Sequence, residues 1–234
     1  MLVPARRRDP EWMDRPDNAP DALAGALHDI RAVNRWLGGA RVIVEGVAAA
    51  WRTADPQRPF TILDVGTGGA DVPLAIVRAA RAAGRPVAII GIDREPATVT
   101  FARNATREVP EIQIERADAF NPGFSEDSFD LVVASMFLHH FEHDEAVRLV
   151  AGFRRLARRA VLVNDLRRHA LPWAFIAVAS RVTRRHPMFV HDAPLSVLRG
   201  FTEGELRRIA EGTGARDATI ERRWPYRLLM TVPA

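Results

Sequence analysis

The chain has 234 residues, of which 47% are hydrophobic and 26% charged, enough for one α/β domain and too apolar for wholesale disorder. It contains no cysteine, which excludes disulfides, a thiolate nucleophile and every zinc site built on sulfur. The net charge is +4 and arginine supplies the whole basic count, lysine being absent. Arginine pairs recur along the chain, but no basic run is interleaved with aromatics as a single-strand binding platform requires. Nucleic acid is therefore not the expected partner.

Residues 1–20 are rich in Pro, Asp and Arg and read as irregular. From Asp21, Leu23, Leu27, Ile30, Val33 and Leu37 follow a helical spacing that Gly38-Gly39 stops, and a second helix is expected from Ala40 to Trp51. Between Phe60 and Asn164 strand-like and helix-like patterns alternate, which predicts a parallel sheet covered by helices. The expected strands are 60–65, 87–92, 112–114, 129–134 and 160–163. An apolar helix is expected over 171–182, a His- and Pro-containing loop from His186 to Pro194, and a capped helix start at Thr202-Glu203-Gly204-Glu205. Two strand-like stretches, 218–220 and 228–232, complete the pattern. The expected fold is a Rossmann-like, mostly parallel seven-stranded α/β sheet with helices on both faces. Residues 1–57 form an N-terminal segment and helical cap, 58–234 the core, and 166–200 an insertion after the fifth strand. The longest apolar run, 170–179, is too short to span a bilayer and contains Pro172. The basic N-terminus lacks the apolar core of a secretory signal, so a cytoplasmic location is expected.

The first strand ends in Asp64-Val65-Gly66-Thr67-Gly68-Gly69. Glycines at this place let backbone approach a ligand, and the next helix offers free N–H groups to it. A dinucleotide fingerprint would need a third glycine where this chain has Asp71. A carboxylate there repels a pyrophosphate but suits the ammonium of S-adenosylmethionine (SAM), and Asp64 adds to that preference. Asp93 closes the second strand and can accept hydrogen bonds from both ribose hydroxyls. Asp118, after the third strand, is placed to accept from an adenine amino group. These acids form a ladder along the carboxyl edge, where open α/β sheets bind ligands.

Taken in order, Ile62-Leu63-Asp64-Val65-Gly66-Thr67-Gly68, Gly91-Ile92-Asp93, Ala117-Asp118-Ala119, Phe129-Asp130-Leu131-Val132 and Leu138-His139-His140-Phe141 resemble the class I SAM-dependent methyltransferases. The similarity is greatest to the small-molecule group of quinone-biosynthesis and natural-product enzymes, and it covers roughly residues 58–165. One departure is Ala70, where the family frequently has a glycine. The resemblance implies SAM as cofactor, bordered by Asp64, Gly66, Thr67, Gly68, Asp71, Asp93, Arg94, Asp118, Ala119 and Ser135.

His139 and His140 follow the fourth strand and Asp165 the fifth, so a His–Asp pair at the sheet edge would provide a base and its orienting group. The sequence does not choose between the histidines. His139, His140 and His143 lack an evident carboxylate partner, and no metal is expected. Trp12, Met13, Trp36, Trp173, Phe175, Met188 and Phe189 are candidates to line an apolar acceptor pocket, and His186, His191 and Asp192 are polar groups that could contact the acceptor. The expected reaction is methyl transfer to a hydroxyl of an apolar small molecule such as a phenol, polyketide or quinone precursor. Carbon methylation of an activated ring is the alternative; RNA or protein methylation and non-catalytic SAM binding rank lower. The sequence carries no reading of oligomeric state.

Overall fold

The computed structural model describes residues 3–15, 22–23, 25–29, 39–182 and 186–234. Seven strands form one sheet: β1 Phe60–Val65, β2 Val87–Asp93, β3 Ile112–Arg116, β4 Phe129–Ser135, β5 Ala157–Leu166, β6 Thr219–Arg223 and β7 Arg227–Pro233. Their order is β3-β2-β1-β4-β5-β7-β6, and only β7 runs antiparallel to its neighbours. Strand order reverses between β1 and β4, so the loops after these two strands flank the crevice in which such sheets take their ligands.

Seven helices are labelled in chain order: α1 Gly39–Trp51, α2 Asp71–Ala82, α3 Pro96–Thr106, α4 His143–Leu156, α5 Ala170–Val182, α6 Pro187–Arg199 and α7 Glu203–Gly212. Alternation along the strands divides the core. Leu131 and Val133 of β4 pack with Val42, Ile43 and Val47 of α1 and with Ile76 of α2. Val132 and Ala134 face the opposite way, against Leu149 and Phe153 of α4 and Leu206 of α7. This is the period-2 pattern of a strand buried on both faces.

Two expectations shift. The segment from His186 to Pro194 is not a loop but most of α6. Pro187 stands in its first turn, where a missing N–H costs nothing, and the His186 ring accepts from the Met188 amide at 3.3 Å. Pro194 lies inside the helix, which proceeds through it because both flanks are packed: Met188, Phe189, Leu195 and Val197 are buried. Of the first expected helix, residues 22–23 and 25–29 are helical; Asp21, Ile30, Val33, Trp36, Leu37 and Gly38 lie outside the described residues. Gly39 begins α1 rather than ending the helix before it.

The insertion is tied to the sheet at Gly200. A Cβ there would stand 2.5 Å from the Leu166 carbonyl oxygen, so only glycine lets the chain leaving α6 meet the end of β5. Its other anchor is residues 3–15, which cross the molecule as a strap. The Trp12 and Met13 amides donate to the two oxygens of Asp192 at 2.8 and 3.0 Å, and Arg6 Nε donates to the Arg199 carbonyl at 2.8 Å.

At the amino edge of the sheet, remote from the crevice, the Asp130 carboxylate is buried and accepts from Arg58 at 2.5 Å and from the Thr61 amide at 2.9 Å. Burial opposes its charge, but these hydrogen bonds outweigh that and hold its pKa at about 2. An acid depressed in the folded state stabilises above its ordinary value and loses that contribution as pH falls through the folded value. Asp130→Asn is expected to cost about 2 kcal/mol at pH 7. In denaturant titrations the gap to wild type should narrow as pH falls from about 4 towards 2; a gap independent of pH would refute the assignment.

Candidate active site

The turn after β1 is built by backbone conformations that side chains resist. Gly66, Gly68 and Ala70 have φ of 67°, 52° and 62°. At Gly66 a Cβ would stand 2.2 Å from the Phe137 ring, so glycine is needed twice over. A Cβ at Gly68 would meet nothing nearer than 4.0 Å and project into open space beside the crevice, the cradle a ligand would use. Ala70 takes the left-handed conformation immediately before α2, which explains why the resembled family often has glycine there; a residue with a Cβ adopts it at a cost of about 1 kcal/mol. The turn is held from β2: the Thr67 amide donates to the Ile92 carbonyl at 2.9 Å and the Gly68 amide to Asp93 Oδ2 at 3.2 Å.

A cavity of about 1230 Å³ opens over this turn. Single-ligand pockets typically measure roughly 300–1,000 Å³, so this one has room for a cofactor and a second molecule. Asp64, Gly66, Thr67, Gly68, Asp71, Asp93, Arg94, Asp118, Ala119 and Ser135 all border it. Burial pushes the Asp64 carboxyl up to about 7, and the charges of Asp93 and Asp71 push in the same direction. Asp93 is raised too, chiefly by burial, against the amides of Glu95 and Gly68 that donate to it. Several acids pressed together at the carboxyl edge suit a cationic ligand with hydroxyl donors. The donor set and the open space at Gly68 thus fit SAM.

The histidines lie at the other side of the crevice, in the turn after β4. Met136 precedes them with φ of 57°, its amide bonded to the Asn164 carbonyl at 2.8 Å, and residues 138–140 then form one 3-10 turn. Asp165 comes to His139 as the sequence suggests: Nδ1 lies 2.7 Å from Oδ1, and the His139 amide donates to Oδ2 at 3.0 Å. Asp165 itself stands behind the ring rather than on the cavity wall. On the far side of the ring Nε2 lies 3.5 Å from Glu11 of the strap, which also accepts from Ser196 of α6 at 2.8 Å. All three members are buried. Burial alone would lower the His139 pKa; the charges and hydrogen bonds of Asp165 and then Glu11 override it and raise it to about 10. His139 is thus an imidazolium at neutral pH.

His140 differs. Its Nδ1 lies 3.0 Å from Asp14 Oδ2, and where His139 borders the cavity but is buried, the His140 ring borders it about one fifth exposed. The two imidazoles lie 4.3 Å apart between centroids. Arg199 of α6 clamps the turn from behind, donating to the His139 and His140 carbonyls at 3.2 and 2.8 Å. Glu11, Asp14 and Arg199 were beyond sequence reasoning. Glu11 supplies the carboxylate that the histidine group lacked: Glu11, His139 and His140 each offer a ligand atom within 4.8 Å of the others. Asp165 and Glu11 stand on opposite sides of the His139 ring, so the group forms an ionic network.

Of the expected acceptor-pocket residues, Met13, Phe175, Met188 and Phe189 border the cavity. Trp12 does not: it stacks on His191 at 4.1 Å between centroids. Trp173 also lies off the wall, and Trp36 is outside the described residues. His186 caps α6, and Asp192, paired with His191 at 2.7 Å, anchors the strap. His186 and His191 lie off the cavity wall, whereas Asp192 borders it.

Residues 62–160 match the sequence profile of a family described as a methyltransferase domain. No curated protein matches the chain. Among solved structures, the chain resembles the magnesium protoporphyrin IX methyltransferase of Synechocystis PCC 6803 with bound SAH, at a TM-score of 0.55 and 17% identity over 83% of each chain. It also resembles the CurJ carbon methyltransferase, at 0.66 and 12% identity over 95% of this chain and 62% of that one. A third likeness is to a SAM-dependent methyltransferase from Aquifex aeolicus, at 0.59 and 14% identity over 81% of this chain and 88% of that one. At such identities the likenesses speak for the fold, and the profile match speaks for the segment that carries the glycine turn and the acid ladder. The profile match marks residues 62–160 as a methyltransferase domain, and the likenesses give this chain the fold of SAM-dependent methyltransferases.

Proposed function

We propose that the protein transfers a methyl group to a hydroxyl of an apolar small molecule, with His140 as the base. The observation that carries this reading is the division of labour between adjacent histidines. His139 has both ring nitrogens facing carboxylates and is held charged, so it has no lone pair to offer. His140 has one nitrogen bonded to Asp14 and a ring on the cavity wall. Asp14 fixes the ring's orientation, and the other nitrogen is left to take the hydroxyl proton.

In this reading Asp93 holds the ribose hydroxyls, Asp118 the adenine amino group, and Asp64 with Asp71 favours the ammonium end. Arg94, Ala119 and Ser135 complete the wall. The cofactor supplies a methyl group on a sulfonium, already electrophilic, so the chain's part is orientation, exclusion of water and removal of one proton. Apolar walls formed by Leu171, Phe175 and Ile176 of α5 with Met188 and Phe189 of α6 suit a small apolar acceptor better than a polyanion. A base beside the methyl group also serves a ring whose hydroxyl is deprotonated before carbon attacks. The position of the methyl group in the product, read by NMR, separates O- from C-methylation.

Three outcomes are expected. Asp93→Ala should weaken SAM and S-adenosylhomocysteine (SAH) binding about tenfold to a hundredfold in calorimetric titration; unchanged affinity would remove Asp93 from the cofactor site. SAH affinity of the wild type should fall as pH drops through about 7, because Asp64 then protonates and no longer attracts the ammonium. Asp64→Asn should flatten that dependence, and an equally steep profile in the variant would show that another group is responsible. With any hydroxyl acceptor that the wild type methylates, His140→Ala should lower kcat about 10²- to 10⁴-fold and leave SAH affinity intact. Full turnover by this variant would end the base assignment.

A further inference from the structure

Among the described residues, the cavity wall contains one buried arginine that no carboxylate pairs. Arg227, the first residue of β7, is 2% exposed and borders the cavity. Among the described residues no carboxylate lies within salt-bridge range of it. Its Nε is buried without a hydrogen-bond partner, and Nη1 points to the thioether sulfur of Met136 at 2.9 Å, a weak acceptor. Burial lowers its pKa to about 10, against the charge of Asp165, which raises it. Asp165 is already engaged by the His139 ring, the His139 amide and the Leu166 amide at 2.7–3.0 Å. The guanidinium therefore feels that charge without sharing its hydrogen bonds.

A buried charge lacking a hydrogen-bonded partner is among the costliest features a fold can carry, and protein interiors avoid it unless something else completes the pair. The pattern here points to a ligand. The cation lies against Met136, the strained residue that opens the histidine turn, and beside the β6–β7 turn, whose Trp224, Pro225 and Tyr226 also line the cavity. A guanidinium offers a planar fork that matches a carboxylate in two parallel hydrogen bonds. The remaining wall on this side is largely apolar, with Leu171, Phe175 and Ile176.

We infer that the acceptor is an apolar hydroxy acid whose carboxylate pairs with Arg227 while its hydroxyl faces His140. This rests on the proposed O-methylation and adds to it the chemical class of the acceptor. The carboxylate takes no part in the chemistry: it registers the molecule, so that one hydroxyl and not another is presented to the base. Arg227 is on this account a specificity-determining residue, and the fold tolerates its buried charge for the sake of the complex.

The test uses the full chain loaded with SAH and a matched pair of probes, 1-hydroxy-2-naphthoate and 1-naphthol, titrated calorimetrically at fixed pH and ionic strength. Wild type should bind the acid at least tenfold more tightly than the phenol. Arg227→Met should reduce that preference to threefold or less and leave SAH affinity unchanged, while Arg227→Lys should keep part of it. A ligand-independent readout accompanies this: since the apo protein carries an unpaired buried cation, Arg227→Met should melt at the same or a higher temperature than wild type. The inference is overturned by equal binding of the two probes, by binding of neither, by a preference that survives Arg227→Met, or by a lower melting temperature in that variant. Should SAH itself fail to bind, the methyl-transfer reading falls as well; should SAH bind and the acid preference be missing, only the acceptor class is wrong.

Discussion

An imidazolium buried between two carboxylates joins parts of the chain that otherwise have little in common. Asp165 comes from β5, His139 from the turn after β4, Glu11 from the strap, and Ser196, which holds Glu11, from α6. None of these charges is tolerable alone away from water, because the interior cannot replace lost hydration. Together they leave few alternatives for the strap or the insertion. The geometry of His140, the more exposed of the two histidines, follows from this neighbour: its backbone carbonyl is held by Arg199, its ring by Asp14, and both partners lie on segments that the ionic triad fixes.

The cavity has two halves of different origin. Its cofactor side is a product of sheet topology. Parallel strands end together at one edge, the order reverses between β1 and β4, and the glycine turn and the acids Asp64, Asp93 and Asp118 lie along that edge. Its other side is assembled from elements outside the parallel sheet, namely the strap, Leu23, Ala26 and Leu27, α5, α6 and the β6–β7 turn. The first half is set by a constraint common to open α/β sheets. In the second, apolar helices meet the buried guanidinium of Arg227, which on the proposed reading discriminates between acceptors.

This division also explains what the sequence made legible. Strands buried on both faces read as short apolar runs, and the acids that close them stand at fixed places, so the sheet and the cofactor side are local patterns. The helix over 187–199 was hidden because two prolines read as breakers, whereas the first occupies a helix start and the second is carried by packing on both sides. Glu11 and Asp14 gave no signal at all. Their hydrogen bonds to Ser196 and His140 span 185 and 126 residues, and nothing in a Pro-, Asp- and Arg-rich stretch distinguishes a carboxylate that will be buried from one that will be solvated. Arg227 was masked by the apolar run behind it, from Leu228 to Val232, which identifies the strand and says nothing of what its first side chain faces.

The strap contributes no strand to the sheet, and its links to α6 and to the segment's end cross 180 and 193 residues of chain. No side chain of residues 3–15 joins either of the two cores that flank the sheet, and contacts so distant in sequence are entropically expensive to close. Without the strap His139 would keep one acid instead of two and His140 would lose its orienting partner. The order of the sheet and the competence of the site are therefore separate conditions, and the strap governs the second.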